Sequence, residues 1–395
     1  MLTVSRATQK LTEVASTMVD TYPLAVTDCL GCVLGQEISS SMDVPPASNS
    51  AMDGYTFCHA DAVAMNFKLT LSQRIPAGVE PSPLVRNSVA RIFTGAEIPL
   101  GADTVAMQED CREESGSVTI DNKVSIGANV RKRGQDVLAG ARVLPRGTVI
   151  RAQEMGLLSS IGLKTVQVYE PLRIAIFSTG DELVEPGLPL MAGQIYNSNR
   201  ALMIGLIKSI GMLPVDLGTA ADCPDSTEDI LRVGAATADI IMCTGGVSVG
   251  EEDHVKSAVE KIGVLDFWQV AIKPGKPMAF GSVLGTPFIG LPGNPSSVFV
   301  TFKILARPFL LACQGNINPH PKILKAIAAF DKFGEAREVY LRASLTENGK
   351  QVDIFPNQSS GVLSSACWGD VFVRQCSEET IRKGELVDVL PYAYF

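Results

Sequence analysis

The residues with the strongest chemical character gather in four short strings, each following an apolar run. They are Ser178-Thr179-Gly180-Asp181-Glu182, Gly218-Thr219-Ala220-Ala221-Asp222, Thr244-Gly245-Gly246-Val247-Ser248-Val249-Gly250 with Glu251-Glu252-Asp253 behind it, and Gly290-Leu291-Pro292-Gly293-Asn294-Pro295-Ser296-Ser297. Each combines Gly with hydroxyls, and three carry carboxylates. Glycines let a backbone approach a ligand closely, and N–H groups at helix starts favour anions, so phosphates are suitable guests. The carboxylates Asp181, Glu182, Asp222 and Asp253 offer hard oxygen donors for a Mg²⁺ that bridges a pyrophosphate. Asp and Ser can equally cap the helices that follow, and that is the reading for Ser198, Asp225 and Ser296. Lys273-Pro274-Gly275-Lys276-Pro277 sets two ammonium groups on a stiff turn, the local positive charge an acidic chain needs to hold an anion.

Other chemistries are excluded by what these strings lack. The third string has the Gly-x4-Gly spacing of a P-loop, but Glu251-Glu252 stand where Lys-Ser/Thr is required. No GxGxxG opens the alternating region, so nothing supports NAD or FAD. The chain has 3 histidines, His59, His254 and His320, with no HExxH and no triad, so chemistry must run on carboxylates, Lys, hydroxyls and a metal. Cys29 and Cys32 form a lone CxxC among 9 cysteines, read as packing in a reduced, cytoplasmic protein. Two further clusters lie upstream: Ser50-Ala51-Met52-Asp53-Gly54-Tyr55 and Arg131-Lys132-Arg133-Gly134-Gln135-Asp136. Either alone reads as a surface turn.

The elements that must position these residues follow from periodicity. Apolar strands at Arg173 to Phe177, Leu213 to Leu217, Asp239 to Cys243 and Pro287 to Leu291 alternate with helical patterns at Ser198 to Ile210, Asp225 to Ala236, Asp253 to Ile262 and Pro295 to Ala312. Such alternation means βαβ units and a doubly wound parallel sheet. Ligands of such sheets bind outside the strands' carboxyl ends, where all four strings fall. Helical periodicity over residues 5 to 21 and 150 to 163 suggests two segments packed together around an insert of short strands and turns. The resulting division is a discontinuous helical domain (1–45 plus 137–170), an inserted β domain (46–136), an α/β domain (171–315) and a C-terminal β barrel (316–395). The barrel carries a hairpin turn at Asn348-Gly349.

The 395 residues carry 34 Lys and Arg against 42 Asp and Glu, a net charge of −8, which argues against nucleic-acid or anionic-membrane partners. The N-terminus lacks the apolar run of a secretion signal. The apolar stretch Val298 to Ala312 is interrupted by Lys303, Arg307 and Pro308 and reads as too short for a membrane span.

Together the strings closely resemble the molybdopterin molybdenumtransferases, the MoeA and gephyrin E-domain family. SAMDGY (50–55), IFTGAEIPLGADTV (92–105), RKRGQD (131–136), FSTGDEL (177–183), GQIYNSN (193–199), TGGVSVGEED (244–253), AIKPGKPMAFG (271–281) and GLPGNPSS (290–297) occur in that family's order. After residue 315 the resemblance thins to Gln358-Ser359-Ser360. It implies a four-domain elongated subunit with a molybdopterin-binding α/β domain. It also implies the last step of molybdenum cofactor synthesis: molybdate enters the dithiolene of adenylylated molybdopterin, with Mg²⁺-dependent loss of AMP. By motif position the catalytic residues would be Asp53, Asp136, Glu182 and Asp253. Thr94, Gly245, Gly246, Ser248, Lys273, Lys276, Pro292, Pro295 and Ser360 would bind substrate, and Glu182, Asp222 and Asp253 would hold the metal. Gln269 departs from members that carry a Lys there. The resemblance further implies a homodimer in which the insert reaches the partner's crevice, and it makes the pathway's adenylyltransferase a candidate partner. The rival functions are that adenylyltransferase itself and a non-catalytic molybdopterin-binding scaffold.

Overall fold

The computed structural model describes residues 1–122, 124–247 and 254–394. Its centre is a six-stranded sheet in the order Leu213–Ala220, Arg173–Thr179, Ile240–Thr244, Thr286–Leu291, Pro277–Val283, Gly263–Gln269. The first four strands are parallel. Successive residues of the central strand serve opposite faces. Ile174 and Ile176 pack with Met203, Leu206 and Ile207, whereas Ala175 and Phe177 pack with Leu231, Val255 and Val259. Burial on both faces is why this strand reads as one continuous apolar run. Helices Ser198–Ser209 and Pro295–Cys313 cover one face, and Pro224–Thr237 and His254–Ile262 the other, which is the doubly wound arrangement.

Two strands at one edge were not visible in the periodicity. Pro277–Val283 and Gly263–Gln269 run antiparallel to their neighbours, and the KPGKP turn connects them. The helix spanning Pro295 to Cys313 reaches the length and apolarity of a membrane span, unlike the shorter run read from sequence. It is 83% buried and forms the core on which the sheet rests. Between its two α segments lies a π turn, Phe302–Ala306.

The N-terminal helix covers only Val4–Val14, capped by Thr3, and it does not pack on the second helical segment as expected. Val4, Ala7 and Leu11 join the α/β core instead. The chain then turns extended, and Thr21–Ala25 pairs antiparallel with Thr165–Tyr169. These strands and helix Ala152–Ser160 enclose a separate core with Leu34, Ile150, Leu158 and Val168. Cys29 is buried in that core, donates from Sγ to Ala25 O at 3.1 Å, and has its thiol pushed up to about 11 by burial.

The insert forms its own six-stranded sheet, in which Gly54–Phe57 lies between Thr104–Met107 and Ser88–Ile92. At the C-terminus, Glu338–Leu345, Gln351–Ile354, Leu324–Ala328, Leu386–Pro391 and Val371–Gln375 pair in a closed ring, a five-stranded barrel. Gly349, at φ +67°, makes the expected hairpin turn. A sixth, two-residue strand is borrowed from the α/β unit: Ile272–Lys273 runs parallel to the start of Glu338–Leu345. The barrel is thereby stitched to the turn that carries the two lysines.

Candidate active site

A cavity of about 740 Å³ lies where the strand-end loops of the α/β sheet meet the barrel. Glu182, Gly245, Pro292 and Pro295 line it from those loops, Lys273 and Lys276 from the KPGKP turn, and Ser360 from the barrel side. Strings far apart in the sequence thus share one wall. Asp222 does not line it but pairs with Asp181, the neighbour of Glu182: its Oδ2 accepts from the Asp181 N–H at 3.2 Å, and Asp181 Oδ1 accepts from the Asp222 N–H at 3.2 Å. Ser248 and Asp253 lie outside the described residues.

The glycines have a structural reason of their own. At Gly180, φ +141°, a Cβ would stand 2.5 Å from Glu182 Oε2, because the Glu182 carboxylate folds back over this residue. At Gly246, φ +61°, a Cβ would meet Val255 Cγ2 at 2.5 Å and Thr179 Oγ1 at 2.8 Å. Gly246, and Gly245 where a Cβ would stand 2.7 Å from Thr179 O, let the first and third loops lie against each other, and Gly245 also lines the cavity.

Helix Ser198–Ser209 begins at the cavity wall. Its cap is Asn197, whose Oδ1 accepts from the Arg200 N–H at 3.1 Å, so Ser198 is not the cap expected from sequence and lines the cavity instead. Asn199 donates from Nδ2 to Gly293 O at 2.6 Å and ties this helix start to the fourth loop. Ser296 is likewise no cap. Its N–H donates to Ser360 O at 3.0 Å and its Oγ to Val362 O at 2.7 Å, clipping the α/β rim to the barrel loop. Asp225 lies in the first turn of Pro224–Thr237, where a carboxylate complements the helix dipole without a capping bond.

The cationic side of the cavity is richer than the sequence suggested. Arg337 lines it and donates from Nη1 to Ile272 O at 3.1 Å. Lys273 Nζ is hydrogen-bonded to Glu335 Oε2, and Lys332 Nζ donates to Glu335 Oε1 at 2.8 Å. Burial alone would raise the Glu335 carboxyl, but the two ammonium groups carry it below its ordinary value. Behind the 355–365 loop sits Arg342, 1% exposed, donating from Nε to Ser365 Oγ at 2.9 Å and from Nη2 to Ser359 O at 3.1 Å. Sequence reasoning missed Glu335, Arg337, Asn197 and Asn199. The two asparagines stood inside the GQIYNSN string, and the run from Lys332 to Arg337 is dense in charge, but neither signal says which cavity it faces. Gln269 ends the edge strand, and its backbone O accepts from the Leu2 N–H at 3.0 Å.

The insert holds the remaining candidates. Asp53 Oδ1 accepts from Thr94 N–H at 2.7 Å and Thr94 Oγ1 at 2.8 Å. These bonds, the backbone one foremost, hold the Asp53 carboxyl below its usual value. Asp136 is exposed on the RKRGQD loop and donates its N–H to Val44 O at 2.9 Å. Asp43 organises that loop by accepting from Arg133 Nε at 2.5 Å and from the Ala139 N–H at 2.8 Å. The structure therefore joins Asp53 to Thr94 and sets Asp136 on a neighbouring loop. Among the described residues, none of the insert lines the 740 Å³ cavity. Nor does any group of three or more His, Cys, Asp or Glu come together there as a preformed metal cage.

Comparison with known proteins agrees with this architecture. Residues 2–162 match the MoeA N-terminal region (domain I and II), 175–312 a probable molybdopterin binding domain, and 325–392 the MoeA C-terminal region (domain IV). A molybdopterin molybdenumtransferase of Haemophilus influenzae is 35% identical over 402 residues, covering 99% of each chain. One from a Nostoc species is 36% identical over 80% of this chain and 75% of its own. Two structures of a Pyrococcus horikoshii molybdopterin biosynthesis MoeA protein superpose with TM-scores of 0.80 and 0.86, at 28% and 26% identity over 99% of this chain. The likeness runs from end to end, with the regions in the same order, and the chain belongs to the molybdopterin molybdenumtransferase family of transferases.

Proposed function

We propose that this chain inserts molybdate into the dithiolene of adenylylated molybdopterin and releases AMP, the last step of molybdenum cofactor synthesis. The observation that carries the reading is the mixed character of the cavity. Glu182 lines the same space as Lys273, Lys276 and Arg337, beside the start of helix Ser198–Ser209. Molybdate is a tetrahedral dianion, and ammonium, guanidinium and hydroxyl donors suit its oxygens. The helix start favours the phosphates of the adenylylated substrate. The adenylyltransferase and scaffold readings leave unexplained why the barrel closes this cavity with Arg337 and Ser360.

The donor set also fits Mg²⁺ arriving with substrate. That ion commonly takes one or two carboxylates plus substrate phosphates rather than an all-protein cage. Glu182 and Asp222 would hold it, with Asp253 as the third carboxylate read from the sequence. When bound, it would supply polarisation of the pyrophosphate. Around it, Lys273 and Lys276 orient the oxyanion, and the Asp181–Asp222 exchange keeps two strand-end loops in register.

The reading extends to a homodimer. Asp53, Thr94 and Asp136 do not line the crevice of their own subunit, and a two-fold pair would present each insert to the partner's crevice. The enzyme would work in the cytoplasm and take its substrate from the pathway's adenylyltransferase. The test is incubation of the purified protein with adenylylated molybdopterin, Mg²⁺ and molybdate, following AMP and finished cofactor. Release no faster than in a protein-free control removes the proposal.

A further inference from the structure

We infer that Glu335 is a built-in competitor for the oxyanion: its carboxylate occupies the Lys273 ammonium at the junction of sheet and barrel, and an incoming dianion must displace it. The inference rests on the reading of Lys273 as an oxyanion contact. Strand Ile272–Lys273 pairs with Glu338–Leu345, which delivers Lys273 to the barrel's edge. Glu335 lies three residues before that strand and meets Lys273 with one carboxylate oxygen and Lys332 with the other. The partnership joins residues 62 positions apart across two folding units.

The surroundings make exchange feasible. A second cavity of about 270 Å³ adjoins the first, and both are bounded by Lys273, Pro274, Gln358 and Ser359. Lys332, Glu335 and the buried Arg342 line only the smaller one. A carboxylate released from Lys273 thus keeps Lys332 at its second oxygen and remains in the smaller cavity. The displaced anion loses one charge-assisted bond and no more. A dianion offers Lys273 twice the charge of the carboxylate it replaces, whereas chloride offers only an equal one. Glu335 therefore acts through Lys273 as a positioning residue. It raises the concentration that any anion needs at the site by the same factor.

The test measures molybdate and sulfate binding to the full chain by calorimetry without pterin. Glu335→Gln should tighten both by about tenfold, the worth of one charge-assisted hydrogen bond. It should also make binding more sensitive to chloride. Glu335→Asp, which keeps the charge, should return affinity toward wild type. In a Lys273→Met background the Glu335→Gln effect should vanish. During turnover, Glu335→Gln should lower the molybdate KM without raising kcat, a gain that a loosened structure does not produce. Unchanged or weaker oxyanion binding in Glu335→Gln overturns the role. So does tightening that persists without Lys273, or no measurable oxyanion binding in either protein. AMP release is assayed separately. If it fails while Glu335→Gln still tightens molybdate, the catalytic reading falls and the competitor role stands.

Discussion

The crevice and the tip of the insert hold chemically similar groups in opposite circumstances. In the crevice, Glu182, Lys273, Arg337 and Ser360 come from loops spread over nearly half the chain and face one volume. At the insert tip, Asp53 and Thr94 satisfy each other through two short hydrogen bonds, both residues are exposed, and neither lines that volume. The crevice is a container built by tertiary packing. The tip is a pre-set carboxylate built by one local contact. A carboxylate fixed in orientation outside the crevice is what the proposed shared-site dimer would present to a partner subunit.

The largest expected effect tests that division directly. Asp53→Ala and Glu182→Ala should each lose AMP release by about 10²-fold or more, the scale of removing a preorganised electrostatic group. Both side chains are exposed, so circular dichroism should show native fold in each. If the chain forms the proposed shared-site dimer, co-refolding the two variants in equal amounts makes about half the dimers mixed, and in each of those one site is doubly damaged and the other intact. Roughly a quarter of wild-type activity should return. Verified mixed dimers without recovery would place both residues in one subunit's site and remove the contrast between container and tip.

Within the container, Lys273→Met should raise the molybdate concentration for half-maximal insertion by about tenfold, the worth of one charge-assisted contact. The affinity for adenylylated molybdopterin should change much less. Equal loss for both ligands would make Lys273 a phosphate contact and shift molybdate toward Lys276 and Arg337.

The same contrast explains what the sequence could disclose. Strands such as Arg173–Thr179 are buried on both faces, so their apolar runs announce them. The Asn348-Gly349 turn is local chemistry and is also legible. The antiparallel strands Gly263–Gln269 and Pro277–Val283 were hidden for different reasons: the first is unevenly buried, and the second is buried but its apolar run is broken by Pro277, Gly281 and Ser282. The N-terminal helix stops near Val14, although Met18 continues the period. The chain there leaves to pair with Thr165–Tyr169, a partner about 140 positions away that no local pattern encodes. At the site, Glu182, Lys273 and Ser360 stood out because Gly, Pro and charge cluster around them. Glu335 did not, since its meaning depends on Lys273 arriving beside it from another folding unit.

A smaller effect probes how firmly the container is closed. Ser296 is fully buried, and its hydroxyl holds Val362 O from across the sheet–barrel junction. Ser296→Ala should cost about 1 kcal/mol of stability in denaturant titration, the usual net worth of a hydrogen bond. It should also weaken substrate binding through Ser360, a few-fold at most, because the Ser296 N–H still holds Ser360 O. A stability loss with wholly unchanged substrate affinity would mean the 355–365 loop is placed without the Ser296 hydroxyl, by the Ser296 N–H and Arg342.

The smallest effect belongs to the tip. Asp53 titrates below its usual value, and the first cause is the Thr94 N–H, with the Thr94 hydroxyl second. Thr94→Val deletes only the hydroxyl. The Asp53 midpoint, followed by carboxyl-carbon NMR, should therefore rise and still remain below the ordinary Asp value of about 3.9. The sign for stability follows from the depressed folded value. The contribution of these bonds is present above the unfolded midpoint and fades as pH falls through the folded one. Above pH 6 Asp53 is ionised in both proteins, so the activity profile there should keep its shape while only its height responds to the lost bond. A midpoint that does not move on Thr94→Val would show that the hydroxyl contact is not kept in solution. The tip would then be oriented by the backbone N–H alone, and in the proposed dimer the partner subunit would have to supply the rest of its geometry.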